Sequence, residues 1–184
     1  MTRLVLAAVL GLAVVAPAVR ADRQTPPAAA KPIVVFETER GTFEIEFFSA
    51  DAPKSVAHLM ALFKQGFYRG LRFHRVEASL VQIGDPQTRN ARNEAAWGTG
   101  NSGTPIGVAE ISKTRKHVRG SVGLANNSDP RYADSQFYIM KVASPSLDGK
   151  YAVVGQVIKG MEVVDKIQRP DVLKNATIKA AAPK

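Results

Sequence analysis

Apolar residues recur with a period of two over many short stretches of this chain and with a helical period in two places, and that rhythm confines it to a mainly β fold. Ile33 to Thr38 is a β-branched run and Arg40-Gly41 a turn. Thr42 to Phe47 alternates Phe43, Ile45 and Phe47 against Glu44 and Glu46, the pattern of a half-buried hairpin strand. Leu71 to Val76, Leu80 to Ile83, Gly120 to Ala125, Gln136 to Val142, Tyr151 to Val157 and Ala176 to Ala180 read as further strands. Asp51 is placed to cap a first helix, Pro53 is tolerated in its first turn, and Val56, Leu59, Met60 and Phe63 fall at i, i+3, i+4 and i+7 before Gly66 stops it. Gly160-Met161 opens a shorter helix through Ile167. Many short strands with two helices predict an antiparallel barrel or sandwich plugged by helices.

The 184 residues, 45% hydrophobic and 22% charged, suit one globular domain with a sizeable core, and the absence of cysteine means that core must hold without disulfides. The N-terminus reads differently. Arg3 supplies a positive flank, Leu4 to Val15 are apolar or small, and Val19-Arg20-Ala21 offers a cleavage site, with Ala16-Pro17-Ala18 the second choice, so residues 1–21 are expected to be a signal peptide. The apolar run is shorter than the roughly 20 residues that cross a bilayer, and Pro17 interrupts its end, so no stable membrane insertion is expected once the leader is removed. The mature protein is placed in the periplasm or outside the cell. Residues 22–32 are Ala, Pro and charge without periodicity, a disordered linker; 33–180 form the domain and 181–184 a tail.

The formal net charge of +9 falls to +7 without Arg3 and Arg20, so the basic balance belongs to the domain. Its densest cluster, Lys113, Arg115, Lys116 and Arg119, has no interleaved aromatics and reads as a solvated loop, so no nucleic-acid partner is expected. Gly98-Thr99-Gly100-Asn101-Ser102-Gly103 fits the G-x-G-x-x-G pattern of dinucleotide sites, but Pro105 follows at once and no helical periodicity appears, so it is expected to be a flexible loop bordering a groove. His58 and His117 are too isolated to propose as ligands, and neither metal nor cofactor is expected.

The chemistry-bearing residues lie on the strand-like segments. They fall in Phe73-His74-Arg75, Gln82, Leu124-Ala125-Asn126, Ser135-Gln136-Phe137-Tyr138 and Leu147-Asp148-Gly149-Lys150-Tyr151. An arginine, amides and apolar groups with no nucleophile and no ligand pair describe a site that binds without covalent chemistry. With Ala52-Pro53-Lys54-Ser55-Val56, Gly66-Phe67-Tyr68, Gln82-Ile83-Gly84-Asp85, His117-Val118-Arg119-Gly120 and Gly160-Met161-Glu162-Val163-Val164, all in order, these strings resemble the cyclophilins, a peptidyl-prolyl isomerase family, over about Ile33 to Ile167, and most closely its exported bacterial members.

The resemblance implies an eight-stranded antiparallel closed barrel capped by two α-helices, and an isomerase that binds proline-containing segments of unfolded or exported proteins as a monomer. It assigns Arg75 as the catalytic residue, with Gln82 orienting it and meeting substrate. Tyr138, in place of the usual phenylalanine, and Leu147 would wall the proline pocket, and Ala125, Asn126 and Gln136 would hold the residues before proline. Tyr151, in place of a histidine, completes the substrate-binding set with His74, the latter as a hydrogen-bonded structural residue rather than an acid or base. The chain also departs from the family's pattern. One residue fewer separates Arg75 from Gln82, the pocket phenylalanine is missing with Leu80 its nearest substitute, and Ser146 stands where many members have tryptophan. A proline-binding chaperone or interaction module with the same groove and little turnover is the alternative from another class. Cleavage after Ala21 predicts a mature N-terminus at Asp22 in protein recovered from a secreting host, read by mass spectrometry; a chain beginning at Met1 and sedimenting with membranes would contradict it.

Overall fold

The computed structural model describes residues 31–179; the expected leader 1–21, most of the linker 22–32 and the tail 181–184 lie outside the described residues. Strand β1 (Ile33–Thr38) and strand β2 (Gly41–Phe47) form a hairpin with Phe36 opposite Phe43 and Thr38 opposite Gly41. The alternation does what the pleat requires. Val34, Phe36, Phe43, Ile45 and Phe47 are buried on one face, while Glu44 and Glu46 stay partly exposed on the other. The rings of Phe36 and Phe43 stack with centroids 4.8 Å apart, and Phe63, from the first helix, meets Phe36 edge-on at 5.5 Å.

That helix, α1 (Pro53–Lys64), buries Val56, Leu59, Leu62 and Phe63, while Met60 sits at the rim of the core. Its C-terminal end is a Schellman turn: Gly66, with φ 68°, donates to the Phe63 carbonyl at 3.0 Å, and Phe67 donates to that of Leu62 at 3.0 Å. Its N-terminal end departs from expectation. Ala52 occupies the cap position, and Asp51 is turned away to accept from Arg115 Nη2 at 2.7 Å. The free amides of Lys54 and Ser55 are satisfied by Glu110, whose two oxygens accept at 3.1 and 2.8 Å. A carboxylate fits an N-terminus better than no cap, and one held 55 residues away along the chain serves as well as a local one.

The remaining strands are β3 (Arg75–Val76), β4 (Leu80–Ile83), β5 (Ser121–Leu124), β6 (Phe137–Met140), β7 (Val153–Lys159) and β8 (Leu173–Ile178), with α2 (Met161–Lys166) between the last two. All eight form one antiparallel sheet in the order β3-β4-β6-β5-β7-β2-β1-β8. The barrel expected to close is an open half-barrel. Its end strands β3 and β8 do not pair. The ends touch at the single bridge Arg72↔Val172, flanked by bonds from Phe73 N to Asp171 O at 3.0 Å and from Leu173 N to Leu71 O at 2.8 Å. The expected strand over Leu71 to Val76 therefore shrinks to two residues, because its first half hydrogen-bonds toward β8 and only Arg75 and Val76 reach β4. The closing strand likewise starts at Leu173 rather than Ala176.

The basic cluster is less free than its sequence suggests. Arg115 pairs with Asp51 and lies 3.8 Å over the Phe48 ring, Lys116 reaches Asp148 at 3.7 Å, and Arg119 makes a fork with Asp165. Replacing the distant cap with Glu110→Ala is expected to destabilise the fold by about 1 kcal/mol, the usual worth of an N-terminal cap, read from the urea midpoint. An unchanged midpoint would mean that Glu110 does not carry this cap.

Candidate active site

Four strands place the site by register. Arg75 on β3 lies opposite Gln82 on β4, Gln82 opposite Tyr138 on β6, and Tyr138 opposite Gly123 on β5. Residues directly opposed across antiparallel strands project from the same face, so Arg75, Gln82 and Tyr138 stand in a row, and Leu80 and Gln136, two positions along their strands, join that face.

The polar members are wired in one direction. Gln136 Nε2 donates to the carbonyls of Gly98 at 3.0 Å and Gly100 at 2.8 Å, which can be met only by an amide nitrogen. Its Oε1 must then face Gln82, whose Nε2 donates to it at 2.9 Å. Gln82 Oε1 is left to accept from Arg75 Nη1 at 3.4 Å. Arg75 Nε donates to Glu77 Oε1 at 2.7 Å. The Gly98–Gly103 loop thus borders the cavity as expected, and its Gly100 has a packing reason. The buried carboxylate of Asp85 accepts from Gly98 N and, through Oδ1, from Gln87 N at 2.8 Å; a Cβ on Gly100 would lie 2.4 Å from that same Oδ1.

Behind the apolar wall runs a second chain of bonds that the sequence reading missed. Asp148 Oδ1 lies 2.9 Å from His117 Nδ1 and also accepts from His117 N at 2.8 Å; His117 Nε2 lies 2.9 Å from the Tyr138 hydroxyl. These bonds from His117 hold the Asp148 carboxyl below its ordinary range, and a carboxylate only accepts, so His117 Nδ1 is the donor between them. Burial pushes the Tyr138 hydroxyl well above the usual phenol value. The ring lies flat across Gly123, where a Cβ would come within 2.3 Å of Cζ. Leu80, Tyr138 and Met140 form an apolar cluster separate from the main core, with Ala125, Leu147 and Tyr151 packed against it.

Between these two systems opens a cavity of about 310 Å³. Arg75, Gln82, Asn126 and Gln136 line its polar side, and Leu80, Ala125, Tyr138, Leu147 and Tyr151 its apolar side. His74 is the exception among the expected residues. It is 9% exposed, beneath Gly98 and outside the cavity lining; burial lowers its pKa, opposed by the Asp85 carboxylate and by an interaction with the Gln136 side chain, although neither ring nitrogen reaches a partner at full hydrogen-bond geometry. Ser146 does not reach the cavity and lies 3.3 Å from the Ser144 hydroxyl. Asn101, Asn127 and Tyr132 line it without having been singled out; the first lies in the glycine loop and the second follows Asn126, whereas Tyr132 on a short 3-10 turn gave no signal.

Residues 33–182 match the family model for the cyclophilin type peptidyl-prolyl cis-trans isomerase/CLD. A "Probable peptidyl-prolyl cis-trans isomerase" of Brucella abortus is 39% identical over 150 residues, covering 79% of this chain and 76% of that protein. A peptidyl-prolyl cis-trans isomerase of Helicobacter pylori is 34% identical over 148 residues, covering 79% and 85%. Among solved structures, a cyclophilin type isomerase of Cryptosporidium parvum superposes with a TM-score of 0.73 at 24% identity, over 83% of this chain and 100% of that one. The same isomerase crystallised in the presence of the dipeptide Ala-Pro gives 0.69 at 26% identity, over 81% and 99%.

The chain belongs to the cyclophilin-type peptidyl-prolyl isomerase family. It is accordingly a peptidyl-prolyl cis-trans isomerase, and the cavity on the β3-β4-β6-β5 face is its candidate active site.

Tyr138→Phe would keep the apolar wall and strand the buried His117 Nε2 without a partner. A loss of about 1 to 3 kcal/mol is expected, the cost of one unsatisfied buried group, measured by urea denaturation. Unaltered stability would contradict the Tyr138–His117 bond.

Proposed function

We propose that this protein is a monomeric isomerase of X-Pro bonds in unfolded or exported polypeptides, and that Arg75 stabilises the twisted transition state. The observation that carries the reading is the placement of the Arg75 guanidinium in a cavity of about 310 Å³ that Leu80, Tyr138, Leu147 and Tyr151 also line. Rotation about an X-Pro bond meets a barrier of about 18 to 20 kcal/mol because the planar amide loses resonance. As the bond twists, the prolyl nitrogen becomes pyramidal and its lone pair localises. A donor aimed at that nitrogen binds the twisted state better than the planar one, which is the condition for acceleration. Arg75 meets the requirement: it is charged at every relevant pH and offers a planar fork of donors. Leu80, Tyr138, Leu147 and Tyr151 would hold the ring, and Ala125 and Asn126 the residues before it. Gln136, with its amide committed to the glycine loop and to Gln82, acts on the site by orienting Gln82.

A rate gain of about 10⁵ asks for about 7 kcal/mol, shared between the donor, desolvation and positioning. The loop and wall differences from the family's pattern bear on rate and peptide preference, and they are what favours a proline-binding module of little turnover as the second reading. The export reading rests on residues 1–21 alone. It makes envelope or secreted proteins the clients.

Arg75→Ala is expected to lower kcat/KM by about 10² to 10³, in line with losing one transition-state donor, with the fold intact; Arg75→Lys should recover little, since a point charge cannot reproduce the fork. A protease-coupled assay on short X-Pro peptides reads both. Near-normal turnover by the alanine variant would remove Arg75 from the role.

A further inference from the structure

Arg75 has a second partner besides Gln82, and it comes from the place where the chain is shorter than its family's pattern. Glu77 follows Arg75 by two positions, so the pleat brings both side chains to one side. Its Oε1 accepts from Arg75 Nε at 2.7 Å, and both side chains are about half exposed, at 47% and 50%. The hydrogen bond from Arg75 holds the Glu77 carboxyl below its ordinary value, so it stays ionised at neutral pH.

The backbone beneath this carboxylate is fixed from two directions. Glu77 N donates to Leu80 O at 2.8 Å, closing the Ala78-Ser79 turn. Lys141 at the end of β6 pins the turn twice, through its N to Ser79 O at 2.7 Å and its Nζ to Glu77 O at 3.1 Å. A carboxylate on such a mount is an anchor. An isolated exposed ion pair contributes little to stability, but here one partner stands on backbone held from two directions and the other lines the cavity.

With Nε on Glu77 and Nη1 on Gln82, the guanidinium plane is fixed at two edges, and Nη2 has no partner among the described residues. We propose that Glu77 is a positioning residue that clamps Arg75 so that Nη2 is the donor presented to the substrate. The clamp removes rotamer freedom from a long side chain before substrate arrives, which leaves less to be lost in the transition state. It rests on the reading of Arg75 as the transition-state donor.

The test is a double-mutant cycle on the full domain with a readout at Arg75 itself. Glu77→Ala is expected to lower kcat/KM about tenfold, mostly through kcat, as misorientation of a catalytic group does. Glu77→Gln, which keeps an acceptor oxygen without the charge, should restore part of that. Adding Glu77→Ala to Arg75→Ala should cost nothing further, since the clamp has nothing left to hold. In nitrogen-15 NMR the Arg75 Nε–H signal should be sharp and slow to exchange in the parent protein and lose both properties in Glu77→Ala. Turnover of Glu77→Ala within about twofold of the parent while Arg75→Ala is strongly impaired would overturn the clamp and leave the donor reading standing. A Glu77→Ala loss that persists undiminished in the Arg75→Ala background would also overturn it, assigning the effect to the turn. Full activity in Arg75→Ala overturns both readings.

Discussion

The register of β4 against β3 and β6 fixes both faces of the sheet at once, and the site exists only because of it. Val81 and Ile83 are 1% exposed on the core side, while Leu80 and Gln82 face the cavity. A slip of one residue would exchange these sets, putting a glutamine into the core and two aliphatic chains where Arg75 now finds its partner. The hydrophobic burial that selects this register therefore also aligns Arg75, Gln82 and Tyr138. Stability and site geometry are set by the same pairing.

Two hydrogen-bonded systems then convert an aligned row into an organised cavity. On the polar side, the carbonyls of Gly98 and Gly100 orient the Gln136 amide, which orients Gln82, which faces Arg75. On the apolar side, Asp148, His117 and Tyr138 tie the turn carrying Leu147 to β6. Buried networks of this kind are costly when incomplete and rigid when every member is satisfied. His74 is buried beside the first system, next to the Gln136 side chain and the Asp85 carboxylate.

Period-two patterning found the β1–β2 hairpin because a side chain's face follows from its place in the strand, whereas the cavity-lining residues came from the order of the motifs shared with the cyclophilins. What escaped was nonlocal. Asp51 looks like a cap from its position, yet it answers Arg115, and Glu110 takes the cap across a separation that no local rule sees. His117 looks isolated in sequence, yet the fold brings it between Asp148 and Tyr138. Glu77 escaped although it is local, because an exposed glutamate next to an arginine carries no signal until the turn that fixes it is known. The open edge between β3 and β8 had the same cause, since the direction in which Leu71 to Phe73 spend their hydrogen bonds is decided by Asp171 to Leu173. The short turns at Pro86–Arg89 and Pro130–Tyr132 were legible in principle: each follows an aspartate, Asp85 or Asp129, whose side chain accepts from the second residue of the turn.

On the reading proposed above, this preassembled cavity lowers the barrier to X-Pro rotation without a cofactor. Two-dimensional exchange NMR on an Ala-Pro peptide with catalytic amounts of the unmodified protein, freed of added metal and cofactor, tests it most directly. Exchange between the cis and trans signals is expected to be far faster than the tens to hundreds of seconds of the uncatalysed bond. Exchange no faster than in buffer, with peptide resonances still shifted by binding, would contradict it and leave a proline-binding module in its place.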